Sequence, residues 1–173
     1  MRTKCLCCGA VLIWIACLTP AVAQRNTQLS LRQLTAPAGY IFAGRVRSVQ
    51  YIPATRSSPV ATMRITFQVE QGLRGVRTGR TLTIRQWAGL WDAGTRYRVG
   101  DRLLLFLYPP SRLGLTSPVG GQQGRFALDH RGQALVGMER AALFREMRAR
   151  GEVRNDRIRL RDFMRGIRRA QEE

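Results

Sequence analysis

Three observations predict a mainly β fold. Residues 60–70 alternate apolar and polar with period two, and a five-residue apolar run at 103–107 is bounded by Gly100-Asp101 and Pro109-Pro110. Sustained helical spacing of apolar residues is confined to the stretch after Gly137. The expected architecture is a small β-barrel or curled sheet of five to six strands followed by two short C-terminal helices. An N-terminal signal peptide (1–23), a barrel domain (24–136) and a helical extension (137–173) divide the chain.

The elements follow in order. Leu29–Leu34 reads as a helical turn or short helix with Leu31 and Leu34 buried, and Pro37 ends it, lacking an amide proton and restraining Ala36. Tyr40–Ile52 is rich in β-branched and aromatic residues. Its alternation slips between Val46 and Val49, so a bulge is expected at Arg47 or Ser48. Pro53–Pro59 is a polar turn. In Val60–Glu70, Ala61, Met63, Ile65, Phe67 and Val69 share one face and Thr62, Arg64, Thr66, Gln68 and Glu70 the other, as in a strand with one wet side.

Thr81–Trp87 resumes the alternation, with Leu82, Ile84 and Gln86 opposed to Thr83, Arg85 and Trp87. A ten-residue connection with Gly89 and Gly94 leads to Arg102–Tyr108, whose unbroken Leu103–Leu107 run suits a strand buried on both faces. Beyond a glycine-containing loop, Arg125–Asp129 and Gln133–Val136 are expected to pair as a hairpin about His130-Arg131-Gly132. Met138–Arg150 carries Leu143, Phe144 and Met147 at helical spacing, and Gly151 stops it. Leu160–Ala170 repeats the pattern with Leu160, Phe163, Met164 and Ile167. Both helices should pack their apolar faces on the barrel rather than enter a membrane.

All four cysteines (Cys5, Cys7, Cys8 and Cys17) fall in the first 17 residues. Arg2 and Lys4, the apolar run Ala10–Leu18 and Ala21-Val22-Ala23 form a signal-peptide pattern with cleavage after Ala23. The apolar run is shorter than the roughly 20 residues that span a bilayer. Trp14-Ile15-Ala16-Cys17 loosely resembles a lipoprotein cleavage site, which the bulky Trp14 fits badly. The expectation is an exported chain, periplasmic or secreted, starting at Gln24 and free of disulfides and thiol chemistry. Loss of Arg2 and Lys4 lowers the net charge from +18 to +16, and Lys4 is the only lysine, so the remaining cations are arginines. Such a surface attracts anionic polymers: phosphates, lipopolysaccharide, acidic glycans or nucleic acid, the last least suited to an exported protein. A codon bias toward arginine would give the same excess.

Tyr40-Ile-Phe-Ala-Gly-Arg-Val46, Phe67-Gln-Val-Glu-Gln-Gly-Leu-Arg-Gly75 and Tyr97-Arg-Val-Gly-Asp-Arg-Leu-Leu-Leu-Phe-Leu107 together resemble the netrin-like and tissue inhibitor of metalloproteinases group, whose domain is an OB-type β-barrel. The likeness covers about Leu31 to Asp129. The chain is also similar to exported bacterial proteins of uncharacterised role that end this core with a loop like Gly114–Gly121. In the animal inhibitors an N-terminal cysteine, held by disulfides, chelates the protease zinc. Gln24 and the cysteine-free remainder remove that mode. What the resemblance still implies is an OB-like barrel that binds a protein, such as a co-secreted metallopeptidase, through loops or an exposed edge.

Little reactive chemistry can be assembled. His130 is the single histidine, so a zinc site of three or four ligands would have to be built on scattered acids. His130 reads as a turn residue beside Asp129. A Ser-His-Asp arrangement would need Ser111 or Ser117 with Asp92 or Asp129, and no nucleophile-elbow sequence is present. Glu70, Asp92, Asp101 and Asp129 are the only acids of the barrel region, with Asp101 at a strand-start turn. The loop Gly114–Gly124 lacks the Gly-Lys-Ser/Thr ending of a nucleotide loop and suits a clamp held by Leu115 and Val119.

Trp87, Trp91, Tyr97 and Tyr108 cluster near the long connection, with Arg85, Arg96 and Arg98 interleaved, as on β-barrels that bind sugars or single strands. The alternative is that both tryptophans cap the barrel ends. The candidate binding surface is therefore Arg85, Trp87, Trp91, Arg96, Tyr97 and Arg98, with no catalytic residue, metal or cofactor. The expected function is a non-catalytic binding module for a protein partner, with binding of an anionic envelope polymer as the alternative.

Overall fold

The structure, a computed structural model, describes residues 28–56, 58–92, 94, 96–137, 140 and 143–172. The expected signal peptide, Gln24 and the start of the Met138–Arg150 helix lie outside the described residues. Two antiparallel sheets carry the fold: a five-stranded sheet in the order β3-β2-β1-β4-β5 and a three-stranded sheet in the order β6-β8-β7.

Ser30 caps helix α1 (Leu31–Thr35) by a reciprocal box: its Oγ accepts from Gln33 N at 3.2 Å, and its N donates to Gln33 Oε1 at 2.8 Å. Leu34 is fully buried, but Leu31 is only half-buried against the core, because a five-residue helix presents one narrow stripe. Strand β1 (Tyr40–Ile52) is the centre of the large sheet. It pairs along its whole length with β2 (Thr62–Arg74), and Tyr40–Arg45 also pair with β4 (Arg102–Leu107). The β1–β2 register shifts at Ile41/Phe42, Ala43/Gly44 and Val46/Ser48. The last is the bulge expected from the slip in alternation, and successive bulges of this kind bend and coil a strand pair. Gly44 belongs to the bulged region because a Cβ there would run into the Gln68 carbonyl.

Strand β3 (Thr81–Trp87) pairs with β2, and β5 (Arg125–Ala127) with β4. Strand β4 divides two cores. Leu104 and Phe106 face one, with Ile41, Ala43, Phe126 and the helices; Leu103, Leu105 and Leu107 face the other, with Phe42, Ile65, Phe67, Ile84 and Tyr97. Across the strands Glu70 grips Arg102, Oε1 to Nε at 3.1 Å and Oε2 to Nη2 at 2.6 Å, while Arg45 lies 3.8 Å from Glu70. The hydrogen bonds to Glu70 hold the Arg102 guanidinium even more firmly protonated than usual.

The expected closed barrel does not form among the described residues. Strand β5 has three residues and pairs only with β4, so it never reaches β3. Instead the loop after β4 donates one main-chain bond, Thr116 N to Arg85 O at 2.9 Å, to the β3 edge. The expected 125–136 hairpin forms only in part. After the turn at Asp129–Gly132, β6 (Gln133–Leu135) pairs with β8 (Arg157–Arg159), leaving only the Leu128–Ala134 bridge and Asp129 N to Gln133 O toward β5. The three-stranded sheet thus joins residues on either side of 136. The ten-residue connection contains a short helix, α2 (Gly89–Asp92).

The Met138–Arg150 helix is reduced, among the described residues, to α3 (Arg145–Ala149), because Leu143 and Phe144 enter the core ahead of it. Strand β7 (Val153–Arg154) and β8 were not anticipated. Helix α4 (Leu160–Glu172) agrees with the expected Leu160–Ala170 helix and buries Leu160, Phe163, Met164 and Ile167.

Phe163 locks α4 to the sheet, with ring centroids 4.9 Å from Phe126, 5.0 Å from Phe144 and 6.4 Å from Phe106. Phe163→Ala should cost about 3–5 kcal/mol in chemical denaturation, as expected for removing a buried ring. Phe163→Leu should recover much of that loss.

Candidate arginine face at the end of strand β3

Alternation along β2 and β3 sends Met63, Ile65 and Phe67 inward with Ile84 and Gln86, and the residues between them outward. Register then decides who meets whom. Thr66 stands opposite Thr83, their hydroxyls 3.1 Å apart, and Arg64 stands directly opposite Arg85. Like charges at directly opposed positions of an antiparallel pair destabilise it. Neither arginine has an acidic partner among the described residues. Arg64 is exposed, whereas Arg85 is half-buried and its Nε is buried without a hydrogen-bond partner.

That orphaned donor has company. Among the described residues, four of the five buried side-chain polar atoms without a partner lie at this end: Thr62 Oγ1, Arg85 Nε, Gln86 Oε1 and Trp91 Nε1. Thr62 pairs with Trp87 and Met63 with Gln86; Arg85 alternates to the outer side, whereas Gln86, bonded to Tyr97, and Trp91 face the second core. Unsatisfied buried polar atoms are costly, and native proteins concentrate them where water or a ligand completes them.

The indole of Trp87 remains 54% exposed. It lies against Gly89, where a Cβ would overlap the ring, so the sequence Trp87-Ala88-Gly89 holds a large aromatic on the surface. Trp91, in α2, is half-buried against the second core, and its carbonyl accepts from Arg96 Nε at 3.2 Å. Arg98 is exposed, and its backbone N donates to Asp101 Oδ2 at 2.9 Å, which makes Asp101 the expected strand-start turn residue.

Tyr97 departs from the expected surface. It is 2% exposed, edge-on to Phe67 at 5.8 Å, under the Arg125 guanidinium at 4.7 Å and bonded to Gln86 Nε2 at 3.3 Å. Burial raises its pKa above the ordinary tyrosine value, against the lowering effects of Gln86 and Arg125. Of the six anticipated residues, the structure therefore brings Arg85 and Trp87 together on an outer face. Trp91 packs on the second core, Arg96 is exposed and bonds the Trp91 carbonyl, Arg98 lies on the same loop and Tyr97 is core. Arg64 was missed; its outward position in the β2 alternation was the available signal, but its facing partner depends on register.

The other sequence candidates resolve differently. His130 is an exposed turn residue. The Asp129 carboxylate accepts from Arg131 N at 2.9 Å and Gln133 N at 2.8 Å, and these bonds, Gln133's foremost, hold it below the usual carboxylate range. Ser111 Oγ accepts from Leu115 N. Among the described residues no three His, Cys, Asp or Glu side chains are placed to hold a metal ion. The loop Gly114–Gly124 is clamped by buried Val119, whose N donates to Phe106 O at 2.8 Å, while Leu115 is only half-buried. Among the described residues no helix is long and apolar enough to cross a membrane.

No protein-family model matches the chain, and no curated protein matches it.

Gly89→Ala should push the Trp87 ring off its seat, read as a red-shifted, more quenchable tryptophan emission with the far-UV signal unchanged. Tyr97 gives a pH test. A phenol whose folded pKa is raised contributes stability that is intact below the unfolded value near 10 and is lost as pH climbs toward the folded value. Tyr97→Phe should flatten that alkaline decline in a denaturation series, while costing about 1 kcal/mol at neutral pH because Gln86 loses its partner.

Proposed function

We propose that this protein is an exported, non-catalytic binding module that holds an anionic polymer on the outer face of β2 and β3. The observation that carries the proposal is the Arg64–Arg85 pair: two arginines at directly opposed strand positions, one with a buried unpartnered Nε. An anion bridging the two converts the repulsion into charge-assisted hydrogen bonds, which a planar guanidinium forms in bidentate fashion. Trp87 beside them supplies a flat apolar platform suited to a sugar ring. The neighbouring Thr66, Thr83 and Gln68 give a polar row without acids. A sulfated or phosphorylated glycan satisfies all three features. Export, expected from the leader-like sequence, makes an envelope polymer the natural source.

The netrin-like resemblance supports a second reading, a protein partner such as a secreted metallopeptidase. A β1-β2-β3 meander with β4 returning beside β1 is compatible with a partly open five-stranded barrel of OB type. Val99 and Leu113 are exposed on its loops and would serve that contact. The arginine face carries the stronger argument because its cost to the free protein calls for a compensating ligand.

Heparin is the probe. Its affinity for the wild-type chain should fall steeply and log-linearly with salt. Arg64→Gln with Arg85→Gln should lower affinity about tenfold and reduce the salt slope by about 2, roughly one per lost contact. Trp87→Ala should weaken binding with the slope retained. Salt-indifferent affinity, or unchanged affinity in the double variant, would remove this proposal; capture of one stoichiometric protease from culture medium would instead favour the protein partner.

A further inference from the structure

A second arginine face lies on the small sheet, far along the chain from the first. Ile158 is buried, so its neighbours Arg157 and Arg159 both point outward. Arg154 of β7 stands directly opposite Arg157, and Gln133 of β6 opposite Arg159. The β7–β8 turn fixes this facing: Asn155 and Asp156 both hold positive φ, 48° and 55°, as a two-residue hairpin of the mirror-image type requires. Asn and Asp are the side-chain-bearing residues that tolerate it best.

The outward residues open on a cleft of about 290 Å³ lined by Gln133, Glu152, Arg154, Arg157, Arg159 and Asp162. Its two acids are already engaged: Glu152 Oε1 with Arg169 at 3.3 Å, and Asp162 with Arg161 at 3.6 Å and Arg165 at 3.7 Å. Arg157 pairs with Asp129 at 3.3 Å. Arg154 and Arg159 have no acidic partner among the described residues. One further group in the wall is unsatisfied: Glu152 Oε2 is buried and has no hydrogen-bond partner. The cleft thus offers guanidinium donors for an anion, and the Glu152 carboxylate in its wall keeps one buried acceptor oxygen without a partner.

We infer that this cleft binds a phosphate group that carries an acidic proton or an adjacent hydroxyl, with Arg154 and Arg159 holding the anionic oxygens and Glu152 accepting from the O–H. Inorganic hydrogen phosphate meets this chemistry, as does glycerol phosphate, free or as a lipid head group. Sulfate does not. It is fully ionised at neutral pH and presents only acceptors to Glu152, so the buried carboxylate discriminates against it. The site is separate from the β2–β3 face and does not depend on the function proposed for it.

The test is thermal unfolding of the full chain at matched pH and ionic strength, in chloride, sulfate or phosphate. Phosphate should raise Tm by several degrees more than sulfate. Arg154→Gln with Arg159→Gln should abolish the phosphate increment while raising Tm in chloride, because the opposed charges are relieved. Arg154→Lys, which keeps the charge but not the fork, should shrink the increment and serves if the double variant does not fold. Arg64→Gln should leave it unchanged. Equal responses to sulfate and phosphate, no phosphate response, or a response surviving in the double variant would each overturn the assignment. Pelleting with phosphatidylcholine vesicles containing phosphatidylglycerol, dependent on Arg154, would assign the lipid source. A response to soluble glycerol phosphate without pelleting would assign the free one.

Discussion

The structure depends on one strand being apolar on both faces. Leu103–Leu107 lies in β4 with no polar side chain in five positions, so neither face can be left to water. One face is covered by α1, α3, α4 and the small sheet. The other is covered by the coiled β1–β2 pair, β3 and the Tyr97 loop. Two cores therefore share a single wall, and that wall requires both a curled sheet and a helical cover. The C-terminal segment is accordingly part of the same folded body, completing the core rather than extending from it.

Charge is distributed according to the same economy. Where acids occur they tether arginines that hold the chain together: Glu70 with Arg102 and Arg45, Asp101 with Arg125, Asp129 with Arg157, Asp156 with Arg148 and Glu152 with Arg169. Part of the surplus falls on the outward faces of β2–β3 and β7–β8. There, strand register sets Arg64 against Arg85, neither with an acidic partner among the described residues, and Arg154 against Arg157, which Asp129 engages. Register is determined by the buried side of each strand, so the facing of charges on the wet side is imposed by the core. Both faces set like charges opposite each other, a conflict that the proposed anions would relieve, and this links the two proposals while leaving them experimentally separable.

Strands with a clear period were legible in advance. The bounds of Tyr40–Ile52 and Thr81–Trp87 agree with the observed strands, and the slip near Arg47 and Ser48 marked a real bulge. Very short elements were not. Strands β7 and β8 hold two and three residues, too few for a periodic signal, although Asn155-Asp156 was a visible hairpin turn. At the site, Trp87 and Arg85 were legible as outward residues. Tyr97 was not separable from them, because an aromatic in a polar stretch reads alike whether it points out or folds back under Arg125.

By itself the sequence determined which residues are apolar, where alternation holds and how basic the surface is. Those are local quantities, written in composition and spacing. Tertiary structure alone decided that β6 takes β8 as its strand partner, that the sheet stays open between β3 and β5, and that Arg64 stands opposite Arg85. Strand partnering depends on competition among many edges for the same hydrogen bonds and the same buried area, and no single segment carries the outcome of that competition.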